Sequence, residues 1–301
     1  MGPYLMRFQI RDLEQFTGVK AHTIRVWERR YGLLKPDRTD TNIRTYDVDE
    51  LKTILNVAYL NQRGHKFSKL AAMAGAERER KVREVALQDG STDGMLNTLV
   101  MAMLSFDEEL FERSCDEHER LHGFRSLVEG VLVKLLERIG LLWQSSAICP
   151  AQEHFVSNLV RQRLIVAVSQ LPKVADGGAL NVLYLPEEEI HELGLLYIHY
   201  LLRAQGQRTV YLGQSVPRGD LMQVVSLSNG PIRFITLLIV RPGPEEALGY
   251  LQALRQSMPD ERITFLAAGM PLHGIDQGQA PAGFELHRDL ASVTTRIAGP
   301  R

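Results

Sequence analysis

Apolar residues recur at helical spacing near the start of the chain. Positions 10, 13, 16 and 19 predict one short helix, and residues 21–30 predict a second one after an interruption at Thr17-Gly18. Two short helices joined by a glycine-containing turn are typical of a helix-turn-helix unit. Ile24 and Trp27 share one side of the second predicted helix, so we expect both side chains to face inward.

A polar stretch follows the second helix. Residues 35–46 predict a hairpin, and Asp47 with Glu50 resembles a capping box at the start of a third helix. Leu51 and Ile54 begin the apolar face of that helix. The hairpin therefore lies between two helices, in the position of a wing.

The middle of the chain has an almost continuous helical pattern over residues 95–171. The pattern breaks at 105–107, 122–123 and 145–150, which divides it into four helices. Four helices of this length predict a small bundle.

Beyond residues 172–178 the period of the apolar residues changes. Short apolar runs now alternate with helical stretches, and the runs lie at residues 179–185, 208–212, 234–240 and 263–267. Such alternation predicts right-handed βαβ units and a parallel sheet.

These patterns predict a multidomain α and α/β fold with four parts. We expect a winged helix-turn-helix over residues 1–76, a charged linker over 77–92, a four-helix bundle over 93–172, and a Rossmann-like parallel sheet over 178–301.

Composition and charge add a clue about partners. Apolar residues make up 45% of the chain and charged residues 24%, which excludes collagen-like and wholly disordered proteins. Residues 1–85 hold 17 Lys and Arg against 11 Asp and Glu, whereas the remainder holds 18 against 25. A basic front on an acidic body predicts a polyanionic partner for the front alone.

The sequence also indicates a compartment. Cys115 and Cys149 cannot build a disulfide framework, so a reduced cytoplasmic protein is the simplest interpretation. Because no run approaches ~18 consecutive apolar residues, we expect no contact with a membrane.

The second predicted helix carries basic residues at its surface, as a major-groove reader does. The hairpin adds further candidates for contact with the DNA backbone. The candidates are His22, Thr23, Arg25, Arg29 and Arg30 on the helix and Arg38, Asn42, Arg44 and Tyr46 on the hairpin. The alternative is a small helical domain with a solvated charged face.

Two groups of residues in the body have the chemistry of a ligand site. Trp143 precedes Glu153-His154 by a distance that a helical hairpin would close, with Pro150 suited to the first turn of the second helix. The alternative for this group is a core Trp with a capping Glu and an ordinary His.

The second group lies just after the first predicted strand, where ligands bind in open parallel sheets. His191 can ligate a metal there while Glu189 or Glu192 holds its other ring nitrogen. The alternative is a solvent-facing His in an acidic loop.

The front of the chain resembles the DNA-binding domain of MerR-type transcription regulators over residues 7–75. The resemblance rests on the run IRVWERRYGL at 24–33, on Arg44-Thr45-Tyr46 and on Asp49-Glu50-Leu51. It implies double-stranded DNA as partner, an inverted-repeat operator, and dimers or larger assemblies. The DNA contacts that it implies are Arg25, Arg29, Arg30, Tyr31, Arg44 and Tyr46.

The order of the parts resembles the light-sensing, cobalamin-dependent repressors of the MerR family, whose last domain is flavodoxin-like. The resemblance implies cobalamin as cofactor and His191 as the lower axial ligand of cobalt. It further implies that Trp143, Glu153 and His154 pack over the upper axial group. His154 is the candidate upper ligand once light has expelled adenosyl.

The cofactor motifs of that family are altered at several positions. Glu189 stands where the family has Asp, ahead of His191 and Gly194. Thr236 replaces a Ser, and Ala268 with Gly269 replaces a Gly-Gly pair.

The function that we expect is transcription regulation, as a repressor, with cobalamin changing the state of a homo-oligomer, either a dimer or a tetramer. The alternative is a MerR-type regulator whose degenerate body binds no corrinoid and serves as an oligomerisation module or senses another ligand. We do not expect an enzyme, because no catalytic barrel of ~250 residues fits in the remaining length.

Overall fold

The computed structural model of the chain describes residues 7–39, 41–89, 92–144, 148–174 and 178–298. The chain forms two compact units, residues 1–159 and 160–301. None of the helices in the described ranges is both long and apolar enough to cross a lipid bilayer.

The first unit begins with a winged helix-turn-helix. Its elements are α1 (Ile10–Thr17), α2 (Ala21–Tyr31), the antiparallel strands β1 (Asp37–Arg38) and β2 (Arg44–Thr45), and α3 (Val48–Gln62). The turn after α1 depends on Gly18, whose φ of 69° lies in the left-handed region that glycine adopts without strain. The predicted helices and hairpin are confirmed.

The predicted capping box at the start of α3 is also confirmed. The Glu50 amide donates to Asp47 Oδ1 at 2.8 Å, and the Asp47 amide donates to Glu50 Oε2 at 3.0 Å. The other Glu50 oxygen accepts from the Lys35 amide at 2.6 Å, so the same carboxylate ties the chain ahead of the wing to α3.

The predicted linker over residues 77–92 is helical for most of its length. The chain forms α4 (Phe67–Ala72) and then α5 (Gly75–Asp89), while residues 90 and 91 lie outside the described residues. Arg78 of α5 is buried and donates to the carbonyls of Met73 at 2.6 Å and Leu70 at 3.2 Å. Its guanidinium therefore caps the C-terminal end of α4.

The predicted bundle is confirmed as a helical region. It contains α6 (Thr92–Ser105), α7 (Glu108–His122), α8 (Phe124–Leu127), a π-helical turn at Val128–Leu132, α9 (Val133–Gln144) and α10 (Pro150–Gln170). Because α8 continues through the π-helical turn into α9, these three elements form one long helix. With α6, α7 and α10, it makes up the four helices that the sequence predicts. The last helix, α10, begins in the first unit and ends in the second.

The second unit is a parallel α/β sheet. Its elements are β3 (Leu180–Pro186), α11 (Leu193–Ala204), β4 (Arg208–Val216), α12 (Leu221–Val225), β5 (Ile232–Leu237), α13 (Pro244–Ser257), β6 (Ile263–Ala268), β7 (Phe284–His287) and α14 (Leu290–Ala298). The strand order is β4-β3-β5-β6-β7, which is flavodoxin-like. Separate apolar clusters cover the two faces of the sheet.

The strand β7 is missing from the sequence prediction. It has only four residues, and Glu285 and His287 alternate with Phe284 and Leu286. Glu285 accepts from Arg296 at 2.7 Å, so the polar side of the strand is bound by α14. Too few apolar positions remain to reveal such a short edge strand.

The winged helix-turn-helix and the bundle meet within the first unit at Arg138 of α9. Its guanidinium donates to the Phe16 carbonyl at the end of α1 and to Asn97 Oδ1 of α6 at 3.1 Å. Burial lowers the pKa of Arg138, although Asp93 opposes that effect. The arginine therefore links three helices through one partly desolvated group.

We expect Arg138→Met to lower the free energy of unfolding by ~1.5–3 kcal/mol, because hydrogen bonds to charged groups contribute about that much. Urea denaturation followed by circular dichroism measures the change. Arg120→Met, at an exposed position of α7, is the matched control. Equal stability of the two variants would contradict the assigned role of Arg138.

Candidate functional site

The recognition helix α2 has one buried and one exposed side, as predicted. Ile24 is 0% exposed and Trp27 is 9% exposed. The Trp27 ring stacks on the ring of Phe67 in α4, with the ring centroids 4.2 Å apart. The exposed candidates on this helix are His22, Arg25, Arg29 and Arg30, while Thr23 and Tyr31 are half-buried. The aromatic stack fixes the helix while its basic side remains at the surface.

Glu28, on the same helix, binds the wing. Its Oε1 accepts from Arg44 Nε at 3.0 Å, and its Oε2 accepts from the Tyr46 hydroxyl at 3.2 Å. Burial raises the pKa of Tyr46, and the Glu28 charge raises it further, so the phenol stays protonated. One carboxylate thus orients the wing relative to the recognition helix.

Tyr46 is 0% exposed. This placement corrects the expectation that its side chain contacts DNA directly, because the ring lies in the core beneath the wing. The sequence pattern could not show this, since a Tyr at the end of a hairpin is compatible with either side.

The tip of the wing carries the other two hairpin candidates. Arg38 donates to Asn42 Oδ1 at 2.6 Å, and both residues are exposed. Asn42 has a φ of 64°, a conformation that Asn tolerates better than most residues. Asp40 lies outside the described residues.

The loop after β3 contains the second candidate site. His191 Nδ1 donates to Glu189 Oε1 at 2.5 Å, and the Glu189 side chain is 1% exposed while that of His191 is 53% exposed. A carboxylate that holds Nδ1–H leaves Nε2 as the lone-pair nitrogen. The longer Glu side chain therefore reaches the imidazole in the way that a metal-binding His requires.

Backbone amides hold the Glu189 carboxylate in place. Oε2 accepts from the amides of Ile239 at 3.2 Å, Val240 at 2.6 Å and Arg241 at 2.9 Å. Oε1 accepts from the Ile190 and His191 amides at 2.9 and 3.0 Å. Burial alone would raise the pKa of Glu189, but these donors lower it to about 2. The carboxylate is therefore ionised at neutral pH.

Exposed apolar side chains lie in the loops at the same edge of the sheet as His191. They follow the carboxyl ends of β3, β5 and β6 and are 43% to 74% exposed: Ile190, Ile239, Val240 and Met270. A group of large apolar side chains exposed close together marks a binding site more often than single exposed ones do. We name these four residues the apolar rim.

The remaining cofactor-motif residues lie near this edge, in β5 and β6, directly after β6, and at the start of α11. Thr236 and Ala268 are buried, at 2% and 0% exposure. A Cβ on Gly269 would lie 1.9 Å from the Leu238 carbonyl oxygen, so only glycine fits there. A Cβ on Gly194 would lie 2.9 Å from Leu237 Cδ1, which explains the close packing of α11 on β5.

Trp143, Glu153 and His154 lie at the ends of α9 and α10 in the first unit. Glu153 Oε2 lies 2.8 Å from His154 Nδ1, and Glu153 Oε1 accepts from Ser157 at 2.7 Å. Trp143 is 49% exposed and the His154 side chain is 70% exposed. Among the described hydrogen bonds and ring contacts, none joins Trp143 to the other two, so their predicted proximity stays a prediction.

Sequence reasoning left open whether Glu189 or Glu192 holds His191, and Glu189 does so. Glu192 instead accepts from Arg161 Nε at 2.5 Å and from the Tyr211 hydroxyl at 2.8 Å. Arg161 lies on α10 and Tyr211 on β4, and no spacing in the sequence connects them to this loop. Sequence reasoning missed both residues for that reason.

Two family models match parts of the chain. A family model described as MerR HTH family regulatory protein matches residues 8–76, and one described as B12 binding domain matches residues 95–167. The HTH-type transcriptional repressor CarH of Myxococcus xanthus is 30% identical over 258 residues, which cover 84% of this chain and 85% of that protein. CarA of the same organism, another HTH-type transcriptional repressor, is 28% identical over 257 residues, covering 84% of each chain.

One solved structure shares the fold. The Methanosarcina barkeri monomethylamine corrinoid protein covers 69% of this chain and 94% of its own, with a TM-score of 0.53 and 14% identity. The protein described here is thus a DNA-binding transcription regulator with a B12 binding domain. It belongs to the family of HTH-type transcriptional repressors that contains CarH and CarA.

His199 gives the second unit a measurable pH dependence. Its ring stacks on Tyr211 with centroids 5.1 Å apart, and its Nε2 lies 3.1 Å from Thr209 Oγ1. Burial, and then the positive charge of Arg203, lower the pKa of His199 from 6.5 to about 4. The folded protein therefore favours the neutral ring.

Between these two values the unfolded chain binds the proton more readily, so folding stability should fall as the pH falls from about 6.5 towards 4. Urea denaturation across that window should show this slope in the wild type and a reduced slope in His199→Gln. His273→Gln, at an exposed position, controls for the loss of a histidine. Unchanged slopes in both variants would contradict a neutral His199.

Proposed function

We propose that this protein represses transcription and senses cobalamin by coordinating cobalt through His191. The observation that carries the proposal is the pairing of an exposed imidazole with a buried, ionised Glu189 inside the apolar rim. A carboxylate–histidine pair of this kind fixes the tautomer of the ring and the direction of its free nitrogen.

The residues present fit the lower face of a corrinoid. The apolar rim offers a surface to an extended macrocycle, and His191 supplies one ligand from its midst. Bound cobalamin would supply a cobalt ion that accepts this nitrogen and an upper axial bond that light can break. Glu189 holds Nδ1–H throughout, because five backbone amides keep its carboxylate ionised and fixed.

We assign Trp143, Glu153 and His154 to the upper axial side of the cofactor, on the strength of the family resemblance. The exposure of Trp143 and His154 leaves both rings available to cover a bound group. Adenosylcobalamin is the form that such a cover would sense, and His154 is the candidate ligand that replaces the lost adenosyl group. A change in this packing would alter the oligomeric state, dimer or tetramer, and hence occupancy of the operator.

The region assigned to the nucleotide tail of the cofactor includes Gly194, Thr236, Ala268 and Gly269. Leu237 fills the space beside Gly194, and Ala268 is part of the apolar cluster on that face. A tail can enter here only if these apolar side chains move. That closed packing favours a second candidate function, a regulator whose body binds no corrinoid and acts as an oligomerisation or other-ligand module.

On the DNA side, we propose that the N-terminal part of α2, with His22, Thr23 and Arg25, reads base edges. The other basic residues contact phosphates, namely Arg29, Arg30, Arg38 and Arg44, with Asn42 and Tyr31 beside them. Tyr46 and Glu28 act from below the surface by fixing the wing. An inverted-repeat operator bound by a dimer or tetramer is the partner that this arrangement fits.

Desalting tests the cofactor directly. Protein mixed with adenosylcobalamin should remain coloured after desalting, whereas His191→Ala should lose affinity about tenfold or more, since even residues behind the ligands contribute that much. His273→Ala, which removes an exposed histidine of the same unit, should bind like the wild type. A wild-type protein that elutes colourless supports the corrinoid-free alternative.

Arg44→Ala should weaken binding to a random-sequence DNA duplex and reduce the slope of log K against log salt by about 1, because one phosphate contact is lost. Fluorescence anisotropy over a salt series measures that slope. Lys81→Ala removes the same charge from a residue paired with Glu84 on α5 and should leave the slope unchanged. A loss confined to one base position would rule out a phosphate contact for Arg44.

A further inference from the structure

Glu192 is a buried carboxylate directly beside the proposed cobalt ligand. It is 4% exposed, and its two oxygens are occupied by Arg161 Nε at 2.5 Å and the Tyr211 hydroxyl at 2.8 Å. Burying a carboxylate is costly unless donors surround it. The donors that stabilise Glu192 come from α10 and β4, which are remote in sequence from the loop.

The position of Glu192 in its helix shows that these contacts are specific. It precedes α11 as the N-cap residue, yet its backbone is helical and its side chain makes no capping hydrogen bond. The Leu196 amide donates to the Glu192 carbonyl at 2.9 Å, so the backbone of Glu192 already belongs to the helix. Its side chain is therefore committed to Arg161 and Tyr211 and not to local capping.

The two carboxylates anchor the loop at positions before and after His191 in the sequence. Glu189 binds the amides that follow β5, and Glu192 binds α10 and β4. His191 lies between them and contributes its own amide to Glu189 at 3.0 Å. Loss of the Glu192 side-chain contacts would leave the start of α11 as the support of the His191 backbone on that side.

We propose that Arg161 is a positioning residue for His191, acting through Glu192 to set where the imidazole meets cobalt. This inference rests on the proposed function of His191. Removing Arg161 leaves the buried Glu192 carboxylate without its charged partner, and the carboxylate gains from moving towards water. The loop then moves with it, and the imidazole loses its fixed direction.

Arg161 also lies on the helix whose first turn carries Glu153 and His154. The clamp formed by Arg161, Glu192 and Tyr211 therefore ties α10 to the loop of the lower ligand.

Electron paramagnetic resonance of bound cob(II)inamide is the test. This corrinoid lacks the nucleotide base, so any nitrogen splitting of its cobalt signal comes from a protein ligand. The wild type should show that splitting and His191→Ala should not. In Arg161→Ala the split fraction should fall, and corrinoid affinity measured by fluorescence quenching should weaken about tenfold.

A double-mutant cycle shows whether Arg161 acts through Glu192. In a Glu192→Gln background, Arg161→Ala should have little further effect, because no buried charge is left unpaired. Arg161→Lys, which keeps the charge, should restore part of the splitting.

Gln162→Ala, the exposed neighbour on α10, should match the wild type. If Arg161→Ala does not fold, Tyr211→Phe takes its place in the comparison. This variant removes only the hydroxyl that donates to Glu192.

The outcomes separate this inference from the proposed function. A wild-type signal without nitrogen splitting would overturn both, since His191 would not ligate cobalt. Splitting and affinity that are equal in wild type, Arg161→Ala and Gln162→Ala would overturn the role of Arg161 alone. An Arg161→Ala effect of the same size in the Glu192→Gln background would likewise overturn it, because Glu192 would not carry the effect.

Discussion

One buried carboxylate, Glu189, sets the geometry of the ligand-binding half of this protein. Five backbone amides keep it ionised and in place, and it in turn fixes the tautomer and direction of His191. Because three of those amides follow β5, the imidazole is tied to the junction between β3 and β5, where the order of the strands reverses. Ligands bind at that junction in sheets of this topology. The exposed imidazole is therefore held at the same edge of the sheet as the apolar rim.

The DNA-reading end uses a similar arrangement. Glu28 accepts from Arg44 and from the buried Tyr46, and these two hydrogen bonds join the wing to the recognition helix. An acidic residue in a basic surface weakens attraction to phosphate, so its presence requires a structural reason. Here the reason is orientation, because a wing of two short strands cannot hold its angle by packing alone.

Patterns that depend on neighbouring residues could be predicted from the sequence. The inward side of α2, with Ile24 and Trp27, and the capping box of Asp47 and Glu50 follow from spacing within one helix. The pairing of Glu189 with His191 also spans only two residues. What the sequence did not show depends on tertiary contacts, such as the burial of Tyr46 beneath the wing and of Arg78 in α5. Arg161 and Tyr211 meet Glu192 only because the fold brings α10 and β4 together, and no local pattern records that meeting.

The central claim is the proposal that His191 coordinates the cobalt of cobalamin. It is tested most directly with protein labelled with ¹⁵N-histidine and loaded with cob(II)alamin of natural isotopic composition. Coordination by a labelled imidazole should change the nitrogen splitting of each cobalt line from a triplet to a doublet, because the nuclear spin of the ligand differs. A triplet that survives labelling would show that the cofactor's own base remains bound and would contradict the account.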